Sequence, residues 1–114
     1  KKPKQAKEYL QKALNIDPEH DIALIELGKI DKSEGNTVAA QVKFRKAYDL
    51  YLKQWKTNSL PKYAYGWFAT VAEELGENNF AKEIRASAPK TESEAYYNKE
   101  NLSMTKTKAL TNNN

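Results

Sequence analysis

The chain has 114 residues, of which 39% are hydrophobic, with no cysteine and a formal net charge of +4. Its length fits one domain, and a mean hydropathy of −0.87 suits a thin helical assembly better than a thick globular core. The absence of cysteine excludes disulfides, thiolate metal sites and cysteine nucleophiles, and no apolar run approaches the roughly 18 residues of a membrane span.

Charge alternates in blocks along the chain. Residues 1–12 carry +4, residues 17–36 carry −4, residues 43–62 carry +5 and residues 73–100 carry −3. There is thus no continuous basic field, and 17 lysines stand against two arginines, which disfavours nucleic-acid binding. The sequence does not decide the cellular compartment. A cysteine-free chain functions in any compartment. No signal peptide is visible, but the sequence does not begin with methionine, so it is compatible with one that has been removed.

The first three predicted helices occupy the N-terminal half of the chain. The first ends before Pro18, because proline cannot continue a helix. The second covers residues 21–34 and stops at Gly35, a natural residue for a helix C-terminus. Thr37 is a favourable N-cap for the third helix. The apolar spacing of that helix continues to Trp55, so we expect it to be unusually long.

Two further helices are predicted after a short loop. Pro61 is expected to open the fourth helix, because proline is tolerated at the first helical position. That helix should end near Gly76. Either Asn78 or Asn79 is predicted to cap a fifth helix, which ends before Pro89.

The C-terminal part of the chain is predicted to form a separate capping element. Thr91 and Glu94 have the spacing of a capping box, in which each side chain satisfies a backbone N–H of the other's residue. The sequence therefore predicts a capping helix over residues 91–104. The polar residues 105–114 are predicted to be a flexible tail.

The most informative pattern is an internal repeat. One pattern of small, large and small residues occurs twice, 34 residues apart, first as Ala6, Leu10 and Ala13 and then as Ala40, Phe44 and Ala47. A looser third copy follows the second at a spacing of 41 residues, seen in Gly35 and Gly76 and in Ala40 and Ala81. Fixed periods of this length are typical of stacked helix hairpins.

These residues resemble the tetratricopeptide repeat. The matching positions are Ala6, Leu10, Ala13, Pro18, Leu24, Leu27, Gly28, Gly35, Ala40, Phe44 and Ala47, with Tyr65, Phe68, Ala69, Gly76, Ala81 and Ala88 in the looser copy. The resemblance implies an all-α, right-handed superhelical stack of antiparallel helix hairpins. Residues 1–90 would hold the second helix of one repeat, one full repeat and one degenerate repeat after a seven-residue insertion.

The chain departs from the family pattern at three positions. Asp31 stands where the family usually has an aromatic residue. Leu52 replaces the helix-ending proline, so we expect the third helix to run on. Arg85 replaces a large apolar residue, which is consistent with a terminal repeat.

The resemblance implies a concave groove that binds a partner. In the family the first helix of each repeat lines this groove, and the corresponding positions are Ile22, Ile25, Lys29, Lys32, Tyr63, Trp67 and Thr70. Aromatic and basic side chains of this kind favour an acidic or aromatic-rich protein or peptide. The implied function is that of a protein-interaction scaffold. The alternative for this surface is a groove closed by the chain's own terminal segment.

Aromatic residues are concentrated around the seven-residue insertion. Tyr48, Tyr51 and Trp55 follow one another at helical spacing. They predict either a hydrophobic ridge for a partner or a second copy, or side chains that fill the interface beneath the extended helix.

No catalytic pattern is visible. His20 stands in a turn, where a solvated role is expected, and the adjacent Glu73 and Glu74 point to different helix faces. No phosphate loop or metal-ligand spacing occurs, so we expect no enzyme activity, cofactor or metal. The alternatives are the non-catalytic repeat region of a larger enzyme or secretion or assembly protein and, more weakly, an RNA-binding helical repeat. The residues of the chaperone-tail clamp known in the family are missing.

Overall fold

The computed structural model of the chain describes residues 3–89, which form helices and turns without a strand. The helices are α1 (Pro3–Ile16), α2 (Asp21–Ser33), α3 (Thr37–Lys56), α4 (Ala64–Glu74) and α5 (Asn78–Ala86). The predicted all-α class is therefore confirmed for these residues. The predicted capping helix and tail, residues 91–104 and 105–114, lie outside the described residues.

Each helix packs against the next one in the chain, and α2 also contacts α4. The core lies where α3 meets its neighbours α2 and α4. Its largest fully buried side chains include Phe44 and Tyr51 from α3, Ile25 from α2 and Phe68 from α4. This arrangement brings the exposed sides of α2 and α4 next to each other, which positions the candidate site described below.

Two hairpin turns have the same backbone conformation. Gly35 and Gly76 follow α2 and α4 with φ of +83° and +86°, a region that favours glycine. In the first turn the N–H of Asn36 donates to the carbonyl of Asp31 at 2.7 Å, and in the second that of Glu77 donates to Ala72 at 2.8 Å. These hydrogen bonds satisfy carbonyl groups at the helix ends, as in a Schellman motif. The predicted helix ends at both glycines are thus correct.

Helix α3 is the long helix that the sequence predicts. It runs without interruption for 20 residues, so the prediction of continuous helix past Leu52 is confirmed. It ends at a residue that the sequence argument overlooked. Asn58 takes a left-handed conformation with φ of +58°, and the next N–H, that of Ser59, donates to the carbonyl of Gln54 at 2.8 Å. Asparagine tolerates this conformation, so it ends α3 as glycine ends α2 and α4.

The contact between α2 and α3 depends on a missing side chain. A Cβ atom at Gly28 would lie 2.6 Å from the ring of Phe44, which is completely buried. The two helices can therefore approach this closely only because residue 28 is glycine.

The starts of α3 and α5 differ from prediction by one or two residues. Asn36, not Thr37, is the N-cap of α3, and Glu77, not either asparagine after it, is the N-cap of α5. Neither cap residue accepts a hydrogen bond with its side chain. Since the preceding glycine turn already fixes the backbone, the side chain does not select the cap position.

The start of α4 was also predicted wrongly. Pro61 does not open the helix, which begins at Ala64. The carbonyl of Pro61 instead accepts the N–H of Ala64 at 3.0 Å, so the proline begins a turn that leads into α4. Tyr63 is the residue immediately before the helix.

Candidate functional site

The candidate site is the surface where α2 and α4 run side by side, called the α2–α4 face below. Residues three, four or seven apart on a helix share one side, so Ile22 and Lys29 lie on one side of α2, and Tyr63, Trp67 and Thr70 on one side at α4. The structure joins the two helices through three polar contacts across this face.

The central contact places a lysine over a tryptophan. The Nζ atom of Lys29 on α2 lies 5.3 Å from the centroid of the Trp67 ring on α4. Lys29 is exposed and Trp67 is partly exposed. A cation held over an indole ring is attracted by the ring's negative face. Two residues that the sequence assigned to one surface therefore do meet there.

The second contact lies at the end of the face near the hairpin turns. The Nζ atom of Lys32 lies 2.8 Å from Oε1 of Glu74 on α4. The lysine side chain is 58% exposed and that of Glu74 is 23% exposed, so we expect this ion pair to add little to stability. Lys32 is therefore shared with Glu74, whereas no ion pair among the described residues involves Lys29, whose ammonium lies over Trp67.

The third contact lies at the other end of the face. Oδ2 of Asp21, the first residue of α2, accepts hydrogen bonds from the hydroxyls of Tyr51 at 2.6 Å and Tyr63 at 2.9 Å. Tyr51 is 1% exposed on α3, whereas Tyr63 is 56% exposed before α4. One carboxylate thus ties α2 to the long helix and to the segment that leads into α4.

The hydrogen bonds determine the ionisation of this cluster. Burial acts to raise the pKa of Asp21, but the hydrogen bonds from Tyr51, Tyr63 and backbone N–H groups outweigh it, so the pKa lies below its ordinary value. Burial first, and the bond to Asp21 second, raise the pKa of both tyrosines. At neutral pH the cluster is therefore one carboxylate held by two neutral hydroxyls.

Some predicted site residues belong to the core. Ile25 is completely buried, so its side chain has no surface to offer a partner. Tyr48 and Tyr51 are buried as well, and both rings pack on Phe68 of α4 at 5.6 and 5.8 Å between centroids. The alternative of an aromatic ridge is therefore corrected in favour of a filled interface.

The third ridge residue follows the same pattern. Trp55 is partly buried, and its ring meets Phe80 of α5 edge-on at 5.3 Å. Aromatic pairs prefer this edge-to-face geometry. The aromatic side chains of α3 therefore contact both α4 and α5.

Sequence reasoning missed Asp21 as a member of the face. The signal was available, because an acidic residue directly precedes Ile22 at a helix start, but its two tyrosine partners are 30 and 42 residues away. His20 also has a definite role. Its Nδ1 accepts the N–H of Ala23 at 3.2 Å, so the ring caps α2 rather than remaining a solvated turn residue.

The described residues contain no group of three or more side chains placed to hold a metal ion. None of the helices described here combines the length and apolarity needed to cross a membrane. Comparison of the chain with family models, curated proteins and solved structures gave no match.

Proposed function

We propose that this chain is a protein-interaction module of the tetratricopeptide type, which holds a segment of a partner protein on the α2–α4 face. The observation that carries the proposal is the pairing of Lys29 with Trp67. A partly exposed tryptophan gives a partner a large apolar contact, and the lysine beside it gives that contact a charge. Two adjacent hairpins with the same turn support the repeat assignment.

The charged groups of the α2–α4 face limit the kind of partner that fits it. Lys32 is paired with Glu74, and the carboxylate of Asp21 is held by two tyrosines. Lys29 is the charged group next to the partly exposed ring of Trp67. The best fit is therefore a segment in which one carboxylate meets Lys29 while an adjacent apolar or aromatic side chain lies on Trp67.

A reversal of one charge tests this function. Lys29→Glu should spare folding, since residue 29 is exposed, and should reduce capture of the partner. Lys46→Glu is the matched control, because it makes the same change at an exposed position of α3. Circular dichroism checks that both variants fold.

The purified partner then allows a direct affinity measurement. We expect Lys29→Glu to weaken binding about tenfold or more, and Lys46→Glu to leave it within about twofold. Equal loss in both variants would mean a general charge effect. No loss in either variant would refute binding at the α2–α4 face.

A further inference from the structure

The α2–α4 face includes an aromatic side chain that the core does not use. Tyr63 is 56% exposed and belongs neither to the buried core nor to the partly buried residues packed against it. It directly precedes α4 and stands one helical turn, about 6 Å along the axis, before Trp67. A large exposed ring in this place enlarges the apolar surface that a partner can cover.

The ring of Tyr63 is nevertheless held in place. Its hydroxyl donates a hydrogen bond to Oδ2 of Asp21 at 2.9 Å. Burial does not require this bond, because the hydroxyl of an exposed tyrosine can bond to water instead. A bond to a carboxylate is charge-assisted and therefore stronger than one between neutral groups. Its consequence is that the ring keeps one orientation on the face.

Asp21 is itself anchored in two ways. It is the first residue of α2, which packs against α3. The same Oδ2 atom accepts a hydrogen bond from the hydroxyl of Tyr51 at 2.6 Å, and Tyr51 is 1% exposed on α3. A buried hydroxyl needs such a partner, so the bond from Tyr51 is explained by stability alone. The bond from Tyr63 is not, since it constrains a side chain that lies in solvent.

We propose that Asp21 is a positioning residue for partner binding, which holds the Tyr63 ring where a partner segment packs an apolar side chain on it. This inference rests on the proposed function of the α2–α4 face. A side chain that is already ordered loses less conformational freedom when the partner binds. The partner would then present two apolar side chains about 6 Å apart, one for Tyr63 and one for Trp67, beside the carboxylate that meets Lys29.

A selected peptide serves as the probe. A random peptide library displayed on phage is selected on the immobilised 114-residue chain. Peptides whose binding is lost with Lys29→Glu and kept with Lys46→Glu are synthesised with a fluorescent label, and their Kd is measured by fluorescence anisotropy. Dependence on Lys29 shows that such a peptide occupies the α2–α4 face.

Two tyrosine variants separate positioning from stability. Tyr63→Phe keeps the exposed ring but removes its bond to Asp21. Tyr51→Phe is the matched control, because it removes the other hydroxyl from the same oxygen atom. We expect Tyr63→Phe to raise the Kd of the peptide about threefold or more, and Tyr51→Phe to change it less than about twofold. Thermal unfolding should show the opposite order, since the hydroxyl of Tyr51 is the buried one.

A double-mutant cycle tests whether Asp21 acts through Tyr63. Asp21→Ala is made in the Tyr51→Phe background, so that no buried hydroxyl is left without an acceptor. It should raise the Kd of the peptide about threefold or more. Adding Tyr63→Phe should then raise the Kd by less than about twofold, because the bond that orients the ring is already absent.

The outcomes distinguish this inference from the proposed function. The absence of any peptide that depends on Lys29 would contradict both. Lys29-dependent binding that Tyr63→Phe leaves unchanged would overturn the positioning role alone, and so would losses that multiply when Asp21→Ala and Tyr63→Phe are combined. If circular dichroism shows that Asp21→Ala does not fold, the comparison of Tyr63→Phe with Tyr51→Phe still decides, because Tyr63→Phe changes an exposed side chain.

Discussion

The α2–α3 and α4–α5 hairpins have the same turn but bury different chemistry. Their glycines differ by three degrees in φ, and the cap residues after them, Asn36 and Glu77, have ψ of 67° and 60° at the same φ of −89°. Asparagine and glutamate share one backbone geometry here. The comparison teaches that the glycine fixes the turn and that the next residue follows it.

The two hairpins fill equivalent positions between their helices with different kinds of side chain. In the first, Asp31 is buried on α2, and its Oδ2 lies 2.5 Å from Nζ of Lys43 on α3. The residues 41 positions later are Ala72 and Ile84, both completely buried. An ion pair in one hairpin thus stands where the other has an alanine and an isoleucine.

The hairpins also differ at the position of the large side chain. Phe44 packs on Gly28 in the first hairpin, but its counterpart Arg85 is exposed and pairs with Glu73. The second helix of each hairpin differs in length as well, since α3 has 20 residues and α5 has nine. The residues of α3 beyond position 45, which matches the last residue of α5, include the aromatic Tyr48, Tyr51 and Trp55.

Shortening α3 is expected to have the largest effect. Leu52→Pro removes a backbone donor within the helix and clashes with the preceding turn, at a cost of about 3 kcal/mol or more in the free energy of unfolding. Leu52→Ala is the control, because it removes the side chain but keeps the helix. Thermal unfolding of the proline variant close to that of the alanine variant would contradict the importance of the extension.

Enlarging the equivalent small residue should destabilise the fold more in the first hairpin than in the second. Ala47 is completely buried, and its counterpart 41 residues later, Ala88, is only partly buried. Ala47→Leu should therefore overpack the core and cost about 1–3 kcal/mol. Ala88→Leu should cost less than about 1 kcal/mol. Denaturant melts measure both, and an unchanged midpoint for Ala47→Leu would refute the repeat register.

Replacing the ion pair of the first hairpin by the apolar residues of the second tests whether the two arrangements stabilise the fold equally. Asp31→Ala alone leaves the ammonium of Lys43 without its partner and should cost about 1–3 kcal/mol. Adding Lys43→Ile reproduces the chemistry of the second hairpin and should return stability to within about 1 kcal/mol of the wild type. A double variant as unstable as the single one would show that the ion pair cannot be replaced in this position.

The smallest expected effect concerns Asp21. Its pKa is lowered in the folded chain, so its ionised form contributes stability above the pKa of the unfolded chain, near 3.8. That contribution is lost as the pH falls below this value. We expect Asp21→Asn to be less stable than the wild type at pH 7, and the difference to shrink as the pH falls below about 3.8. A constant difference across this range would mean that the carboxylate does not stabilise the fold through its charge.

Much of the fold could be predicted from the sequence. The periodic residues Ala40, Phe44 and Ala47 are all buried, and both helix-ending glycines stand where expected. These features depend on local spacing and backbone conformation. The end of α3 could have been found from Asn58, but asparagine is a weaker signal than glycine for a left-handed residue.

The candidate site could be predicted only in part. Lys29 and Trp67 were assigned to one surface by register, and they do meet. The pairing of Lys32 with Glu74 and the bonds of Asp21 to two tyrosines depend on how α2, α3 and α4 approach each other. Such distances between helices do not follow from spacing within one helix.

The most direct test of the proposed function is site-specific photo-crosslinking in extracts of the native organism. A photoreactive amino acid replaces Thr70, which lies on the α2–α4 face beside Trp67, or Lys46, which lies exposed on α3. The account predicts a discrete adduct from position 70 that weakens when Lys29→Glu is added, and little or none from position 46. An adduct formed equally at both positions, or only at position 46, would contradict binding at this face.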